Sequence, residues 1–377
     1  MMCQKMPSCG RGKVRNMGLF FAFNGYSIVP GGIMRVGLVR EDIYLEHITD
    51  DFHPENPGRL RAIYDMLDGI DRKDLVYVPA RPAARDEIAL IHEQRYITRV
   101  EETRGRVQTR LDPDTVASAR SYDAARMAAG GLLQLVDEAV SGEIDNGFAL
   151  VRPPGHHAEA ERSMGFCIFN NVAIAAKYLK RRHGLKRVLI VDFDVHHGNG
   201  TQHAFYEDPS VLYISTHQYP HYPGTGWYEE TGQGEGRGYT VNVPLAYGMN
   251  DADYLYVFRE VVMPVAGLFS PEIVLVSAGF DIHRSDPLAG MAVTEQGFAK
   301  MTRMLMDVAA SECGGKVCMV LEGGYNTSAL ANSVRTVIME LKGMPVYIAE
   351  YEDGESDAAV QIVSKVKKAV EPYWGKF

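Results

Sequence analysis

The sequence predicts an α/β fold: one mostly parallel sheet with helices on both faces. Three features point that way. Short apolar runs recur along the chain, amphipathic stretches of helical period separate them, and polar segments rich in Gly and Pro follow the runs. With 377 residues, 46% apolar and 23% charged, the chain is long enough to bury a substantial core in a single unit.

From Met34 onward the elements follow in order. A first strand is expected at 35–39, then a helix at 121–140 and a strand at 147–151. A helix at 170–182 precedes strands at 188–193 and 211–215. A strand at 273–277, a helix at 294–310, a strand at 317–321 and a helix at 328–342 complete the series. The strand runs, such as VLIV and IVLV, are continuously apolar rather than alternating, as in strands covered on both faces. No repeat, low-complexity tract or linker breaks 34–377, so one domain is expected there. Residues 1–33 differ: Lys5, Arg11, Lys13 and Arg15 precede a short apolar patch at 18–23, in the manner of a signal peptide. Asn24 ends that patch and no small-residue cleavage site follows. The expectation is a disordered extension, or sequence upstream of a true start at Met34.

Bulk charge narrows the function. A net charge of −9 without a basic block argues against direct nucleic-acid binding and favours cationic substrates. The five cysteines are scattered without CxxC spacing, which suggests a reducing cytoplasm rather than a disulfide framework. No apolar run approaches the ~18 residues of a membrane span. The sequence does not speak to oligomeric state.

The chemistry follows the strands. RPPGHH comes after 147–151, DFDVHHGNG ends 188–193, STHQYPHYPGTG ends 211–215, SAGFD ends 273–277, and EGGY follows 317–321. In a parallel sheet these are all carboxyl ends, so they meet on the rim where open α/β sheets bind ligands. Eight of the twelve histidines fall between His156 and His221. The loop at 219–238 is too long for a plain connection and is expected to build part of the site.

Asp194 and His196, two apart on extended chain, point the same way. With Asp281 from another strand they make three metal ligands and leave a position open for water or substrate. Asp192 lies one step deeper and needs a partner, which His156 or His157 can supply; Asn199 can serve the other histidine. Tyr325, behind two glycines, can donate to an oxyanion. Phe166 and Tyr222 can wall a narrow apolar slot.

These residues resemble the histone deacetylase family, with the HHGNGTQ form similar to its class II branch and bacterial relatives. The motifs HPENPGRL, RPPGHHA, GFCIFNN, DFDVHHGNGTQ, YPGTG, SAGFD and LEGGYN occur in family order over about 36–341. The resemblance implies the arginase–deacetylase fold, a single eight-stranded sheet with the active site in loops at the strand carboxyl ends. It implies zinc, or ferrous iron, on Asp194, His196 and Asp281. It makes His156 and His157 the catalytic pair, supported by Asp192 and Asn199 respectively, with Tyr325 polarising the carbonyl. Gly165, Phe166, Tyr222 and Leu288 are expected along the substrate path. Asp112 or Asp114 is expected to grip the substrate backbone. A structural potassium ion is implied at Asp192, Asp194, His196, Ser215 and Thr216.

The implied activity is hydrolysis of acyl-lysine in proteins or peptides. A deacetylase of acetylpolyamines is the alternative, although Leu288 stands where polyamine-selective relatives place a glutamate. A two-metal hydrolase of the arginase type is disfavoured because His283 stands two residues after Asp281, where a carboxylate is needed. A silent acyl-lysine-binding module would lack a ligand or the tyrosine, and this chain keeps them all.

Overall fold

The computed structural model describes residues 34–50, 52–344 and 354–377; the expectation for 1–33 lies outside them. Ten strands form in chain order: β1 Val36–Val39, β2 Leu75–Tyr77, β3 Gln108–Arg110, β4 Val116–Ser118 and β5 Asn146–Ala149. They continue as β6 Val188–Asp192, β7 Val211–Gln218, β8 Thr240–Leu245, β9 Ile273–Ala278 and β10 Val317–Leu321. Eight of them make one sheet in the order β2-β1-β5-β10-β9-β6-β7-β8, and every pair in it is parallel. The expected "mostly parallel" sheet is wholly parallel. Each residue of β6 and β9 is buried, which accounts for their unbroken apolar runs.

The missed strands have physical reasons. β2 has three residues, partly exposed, and β8 carries Asn242 and Pro244. Both lie at sheet edges, where a proline costs no ladder hydrogen bond. The final helix, Asp357–Trp374, lies against β8, and Trp374 Nε1 donates to the Gly238 carbonyl at 2.7 Å. That edge is therefore covered rather than left to pair with another chain. β3 and β4 form a separate antiparallel hairpin, also unanticipated, whose connection carries Asp112 and Asp114.

The expected helices form as Ser121–Ser141, Asn171–Tyr178, Glu295–Glu312 and Thr327–Leu341. The second is shorter than expected, because a π-helical turn takes over at Leu179–His183 before Gly184 at φ 71°. Among the described residues, no helix is long and apolar enough to cross a membrane.

Two buried histidines pin loops below the rim. His92 Nδ1 lies 2.8 Å from the Glu159 carbonyl and its Nε2 accepts from the Asn170 N–H at 2.9 Å. His217 Nε2 lies 2.8 Å from the Gly226 carbonyl, with Ser215 Oγ 2.9 Å from its Nδ1. The His92 ring is therefore needed neutral, and burial pushes both pKa values down to about 4. An unfolded histidine titrates near 6.5, so the unfolded state binds more protons between about pH 6.5 and 4. Their stabilisation is complete above that window and is lost as pH falls through it. We expect His92→Gln to flatten the fall of stability between pH 6.5 and 4.5 by up to ~1.4 kcal/mol per pH unit, read from urea midpoints. An unchanged slope would place the His92 pKa near its unfolded value.

Candidate active site

The five strand ends meet as the sequence suggests, but the local geometry differs at β6. The strand stops at Asp192, and Asp194 and His196 lie in the turn beyond it rather than on extended chain. They still face one another, because Asp194 Oδ1 accepts the His196 N–H at 2.9 Å, a local side-chain-to-backbone turn. The two side chains are brought together as strand parity predicts, but by this turn rather than by parity.

His196 Nδ1 stands 3.0 Å from Asp194 Oδ1 and 3.2 Å from Asp281 Oδ2. The three potential ligand atoms lie within 4.8 Å of one another. Backbone donors fix the carboxylates: Val195 N–H on Asp281 Oδ1 at 2.9 Å, and Gly323 N–H on Asp194 Oδ2 at 2.8 Å. Gly323 allows this approach, since a Cβ there would come 2.1 Å from Asp281 Oδ2. Asp281 Oδ2 is buried and has no hydrogen-bond partner among the described residues. Burial and the Asp194 carboxylate push Asp281 up to about 7. Burial opposes the charged form of His196, but the two carboxylates outweigh it and raise its pKa to about 10. Two buried acids, one of them with an oxygen lacking a hydrogen-bond donor, and one imidazole form a cluster whose donor set a divalent cation fits.

His156 and His157 lie side by side with ring centroids 4.1 Å apart and ring planes tilted by 45°. His156 Nδ1 meets Asp192 Oδ2 at 3.0 Å, and Tyr213 also donates to that oxygen at 3.0 Å. Burial disfavours the His156 imidazolium, yet Asp192 and Asp194 prevail and raise its pKa to about 10. His157 Nδ1 meets Asn199 Oδ1 at 2.7 Å. Burial and the neighbouring His156 and His196 hold His157 well below 6.5, so it is the neutral member of the pair. His197 lies outside the ligand cluster, held by Thr225 Oγ1 at 2.8 Å and Gln202 Oε1 at 2.9 Å.

Above this floor lies a slot of about 230 Å³ lined by Phe166, Tyr222, His221, Leu288, Asp114 and Tyr325, among others. The two expected wall aromatics do flank it. Tyr222 meets the His157 ring edge-on at 5.1 Å, and Phe166 meets Tyr325 at 6.0 Å. Burial and Asp281 keep the Tyr325 phenol protonated, well above its ordinary value. Of the two hairpin aspartates, Asp114 lines the slot and accepts the Gly165 N–H at 3.0 Å. Asp112 instead accepts the N–H groups of Asp114 and Thr115 at 2.9 and 2.7 Å, holding the loop. Gly165 has φ 55°, and a Cβ there would come 2.2 Å from the His157 ring. Gly165→Ala is therefore expected to displace His157 and to lower kcat/KM by about 10²-fold, a typical result of ~1 Å misplacement. Steady-state kinetics on the acyl-lysine peptide that the sequence resemblance implies as substrate measure it, and wild-type values would contradict the close packing.

Ser215 lies opposite Asp192 in the β6–β7 register, and Thr216 Oγ1 is 3.5 Å from the Asp192 carbonyl. His283 lies near Glu295, with Nε2 3.5 Å from its Oε2.

Several site groups escaped the sequence. Glu322, fully buried, accepts the N–H groups of Gly155 and His156 at 2.7 and 3.2 Å and so sets the histidine loop. Arg59 donates to the Glu322 and Gly324 carbonyls, each at 2.6 Å, and its guanidinium lies 5.0 Å from the Tyr325 ring centroid. His221 stacks on His196 at 5.0 Å. Glu322 and Arg59 stand in the quoted LEGGYN and HPENPGRL motifs, which was the available signal.

A wholly parallel sheet with acids, histidines and a tyrosine gathered at one carboxyl rim has the architecture of an α/β ligand site. The comparisons with known proteins make the class specific. Residues 53–341 match the family profile of the histone deacetylase domain. The chain is 43% identical to histone deacetylase 10, chloroplastic, of Oryza sativa subsp. japonica, over 80% of this chain and 72% of that protein. It is 42% identical to human polyamine deacetylase HDAC10, over 85% of this chain and 49% of that protein. The crystal structure of the HDA15 HD domain superposes with a TM-score of 0.85 at 40% identity, covering 90% of this chain and 95% of that one. The chain belongs to the histone deacetylase family. It spans about half the length of several curated relatives that it matches, such as histone deacetylase 15 of Arabidopsis thaliana (53%) and human HDAC10 (49%).

Proposed function

We propose that this chain is a metal-dependent amidohydrolase that removes acetyl or other acyl groups from lysine side chains of proteins or peptides. The observation that carries it is the Asp194, His196 and Asp281 cluster at the foot of a narrow aromatic slot. Zinc, or ferrous iron, would be held by those three residues. A divalent ion there supplies Lewis acidity, polarising an amide carbonyl and making a water molecule a better nucleophile. His157 Nε2, on a neutral ring, accepts the proton of the attacking water and returns it to the leaving amine. His156, with Asp192 on its Nδ1, supplies positive charge beside the reaction. Tyr325 donates its phenolic proton to the developing oxyanion. Phe166 and Tyr222 hold the acyl-lysine stem, Leu288 borders it at the rim, and Asp114 is placed to accept from the substrate backbone. A potassium ion among Asp192, Asp194, His196, Ser215 and Thr216 would steady the ligand turn. One deacetylase domain over 34–377 carries this activity. Among the described residues, the free buried cysteines Cys167, Cys313 and Cys318 suit a reducing cytoplasm.

The second reading is a deacetylase of acetylpolyamines, favoured by the 42% identity to relatives named polyamine deacetylase. Leu288 at the rim weighs against it, since a leucine offers no ion pair to a second ammonium group. The deciding experiment compares kcat/KM of the zinc-loaded protein on an acetyl-lysine peptide and on acetylspermidine, with Asp281→Ala as control. The expected result is faster peptide turnover, with loss of both activity and bound metal in the control. Faster acetylspermidine turnover would select the second reading, and a metal-loaded protein inert to both would sink the two together.

A further inference from the structure

His157 is connected almost to the protein surface by hydrogen bonds that the roles above leave unused. Asn199, whose Oδ1 faces His157 Nδ1, turns its Nδ2 toward Glu159 Oε1 at 2.5 Å. Glu159 in turn meets His203 Nδ1 through both oxygens, at 2.9 and 3.0 Å. The Glu159 side chain is 9% exposed and that of His203 is 53% exposed, so the series runs from the slot floor outward. The backbone of Glu159 is anchored as well: its N–H donates to the Arg162 carbonyl at 3.0 Å, and His92 holds its carbonyl at 2.8 Å.

An amide can offer either its oxygen or its NH₂ to a given neighbour, and only the surrounding donors and acceptors decide which. An ionised carboxylate can only accept. Burial raises the Glu159 pKa, but His203 and Asn199 outweigh it and hold the carboxyl below its ordinary range. The other acceptors near Asn199 Nδ2, the His157 carbonyl and Met164 Sδ, are distant at 3.4 and 3.5 Å. Glu159 is thus the strong acceptor that selects the NH₂ and leaves the oxygen for His157. An oxygen acceptor at Nδ1 requires the proton there and leaves the lone pair on Nε2, facing the reaction. With the amide turned over, NH₂ would face Nδ1, the proton would move to Nε2, and the base would be lost.

We propose that Glu159 is a positioning residue: it fixes the Asn199 amide and, through it, the His157 tautomer in which Nε2 is the base. The inference rests on the deacylase reading for its kinetic consequence, though not for the tautomer itself. The test uses the full zinc-loaded chain with Glu159→Leu and Glu159→Gln. Glu159→Leu is expected to lower kcat by about 10–100-fold, the usual effect of an outer partner, with KM within about two-fold of wild type. Glu159→Gln keeps a carbonyl oxygen for Asn199 Nδ2 and is expected to recover to within about five-fold of wild type. Ring nitrogen NMR of His157 gives an independent readout: Nδ1–H in wild type and Glu159→Gln, with Nε2–H appearing in Glu159→Leu. An Nε2–H wild type overturns the proposal even if no variant folds. So does a Gln variant as impaired as Leu, or a Leu variant with wild-type kcat. A wild type that carries Nδ1–H but cleaves no acyl amide would sink the deacylase reading and leave the tautomer assignment standing.

Discussion

Tyr325→Phe is expected to lower kcat by about 10²–10³-fold, the loss found when a single oxyanion donor is removed. The substitution deletes one hydroxyl and leaves the ring's surroundings in place. Arg59 still lies against its face, and Phe166 still meets its edge. The Tyr325 N–H keeps its 2.6 Å bond to Asp286 Oδ2, so the loop has no reason to move. In the proposed role the phenol acts on charge that develops only in the transition state, so KM should change little. Metal content should also stay at the wild-type level, which separates this variant from Asp281→Ala. Kinetics on an acetyl-lysine peptide, with metal analysis on the same sample, make the measurement. Wild-type turnover would remove Tyr325 from the chemistry.

Glu55→Ala is expected to cost about 3–5 kcal/mol of stability, the usual penalty for removing one partner from a buried ion pair. Glu55 sits among Arg152, Arg59 and His47, and all four side chains are essentially buried. Arg152 bonds it twice, through a short Nε contact and through Nη2 at 2.7 Å, and Arg59 Nη1 adds a third bond at 3.0 Å. Burial alone would raise the Glu55 pKa, but Arg152, His47 and Arg59 hold it well below the ordinary range. Without the carboxylate, two guanidinium groups remain in the interior with only carbonyl oxygens to face. One of them, Arg59, also holds the loop of Tyr325, so activity should fall along with stability. Urea denaturation at neutral pH reads the effect, and a midpoint within about 0.5 kcal/mol of wild type would show that the arginines find water.

What the sequence made legible follows from range. The strands at 188–192 and 317–321 declare themselves because apolar content is a local property. Thr240–Leu245 does not, since its Asn242 and Pro244 are tolerated only by its place at the sheet edge. That Asp194, His196, Asp281 and the two histidines gather at one rim was readable because each follows an apolar run. Their supports were not. Arg152 and Glu55 stand 97 residues apart, and Glu322 and Gly155 stand 167 apart. A charge in a sequence carries no mark of whether it ends in water or in the core, so the sequence assigns no role to Glu159 or Glu322, although Glu322 stands in LEGGYN. The hairpin that sorts Asp114 from Asp112 was equally hidden, because its strands have only three residues each.

The sheet order has a consequence in time. Asp194 and Asp281 come from the ends of β6 and β9, which are adjacent in the sheet but separated by β7, β8 and their connections in the chain. The N–H that steadies Asp194 comes from Gly323, later still, just beyond β10. During synthesis the cluster therefore remains incomplete until nearly the whole domain has emerged and its central strands have paired. If the cluster takes up an ion as proposed, capture would be a closing event of folding, and a retained ion would certify that the middle of the sheet is in register.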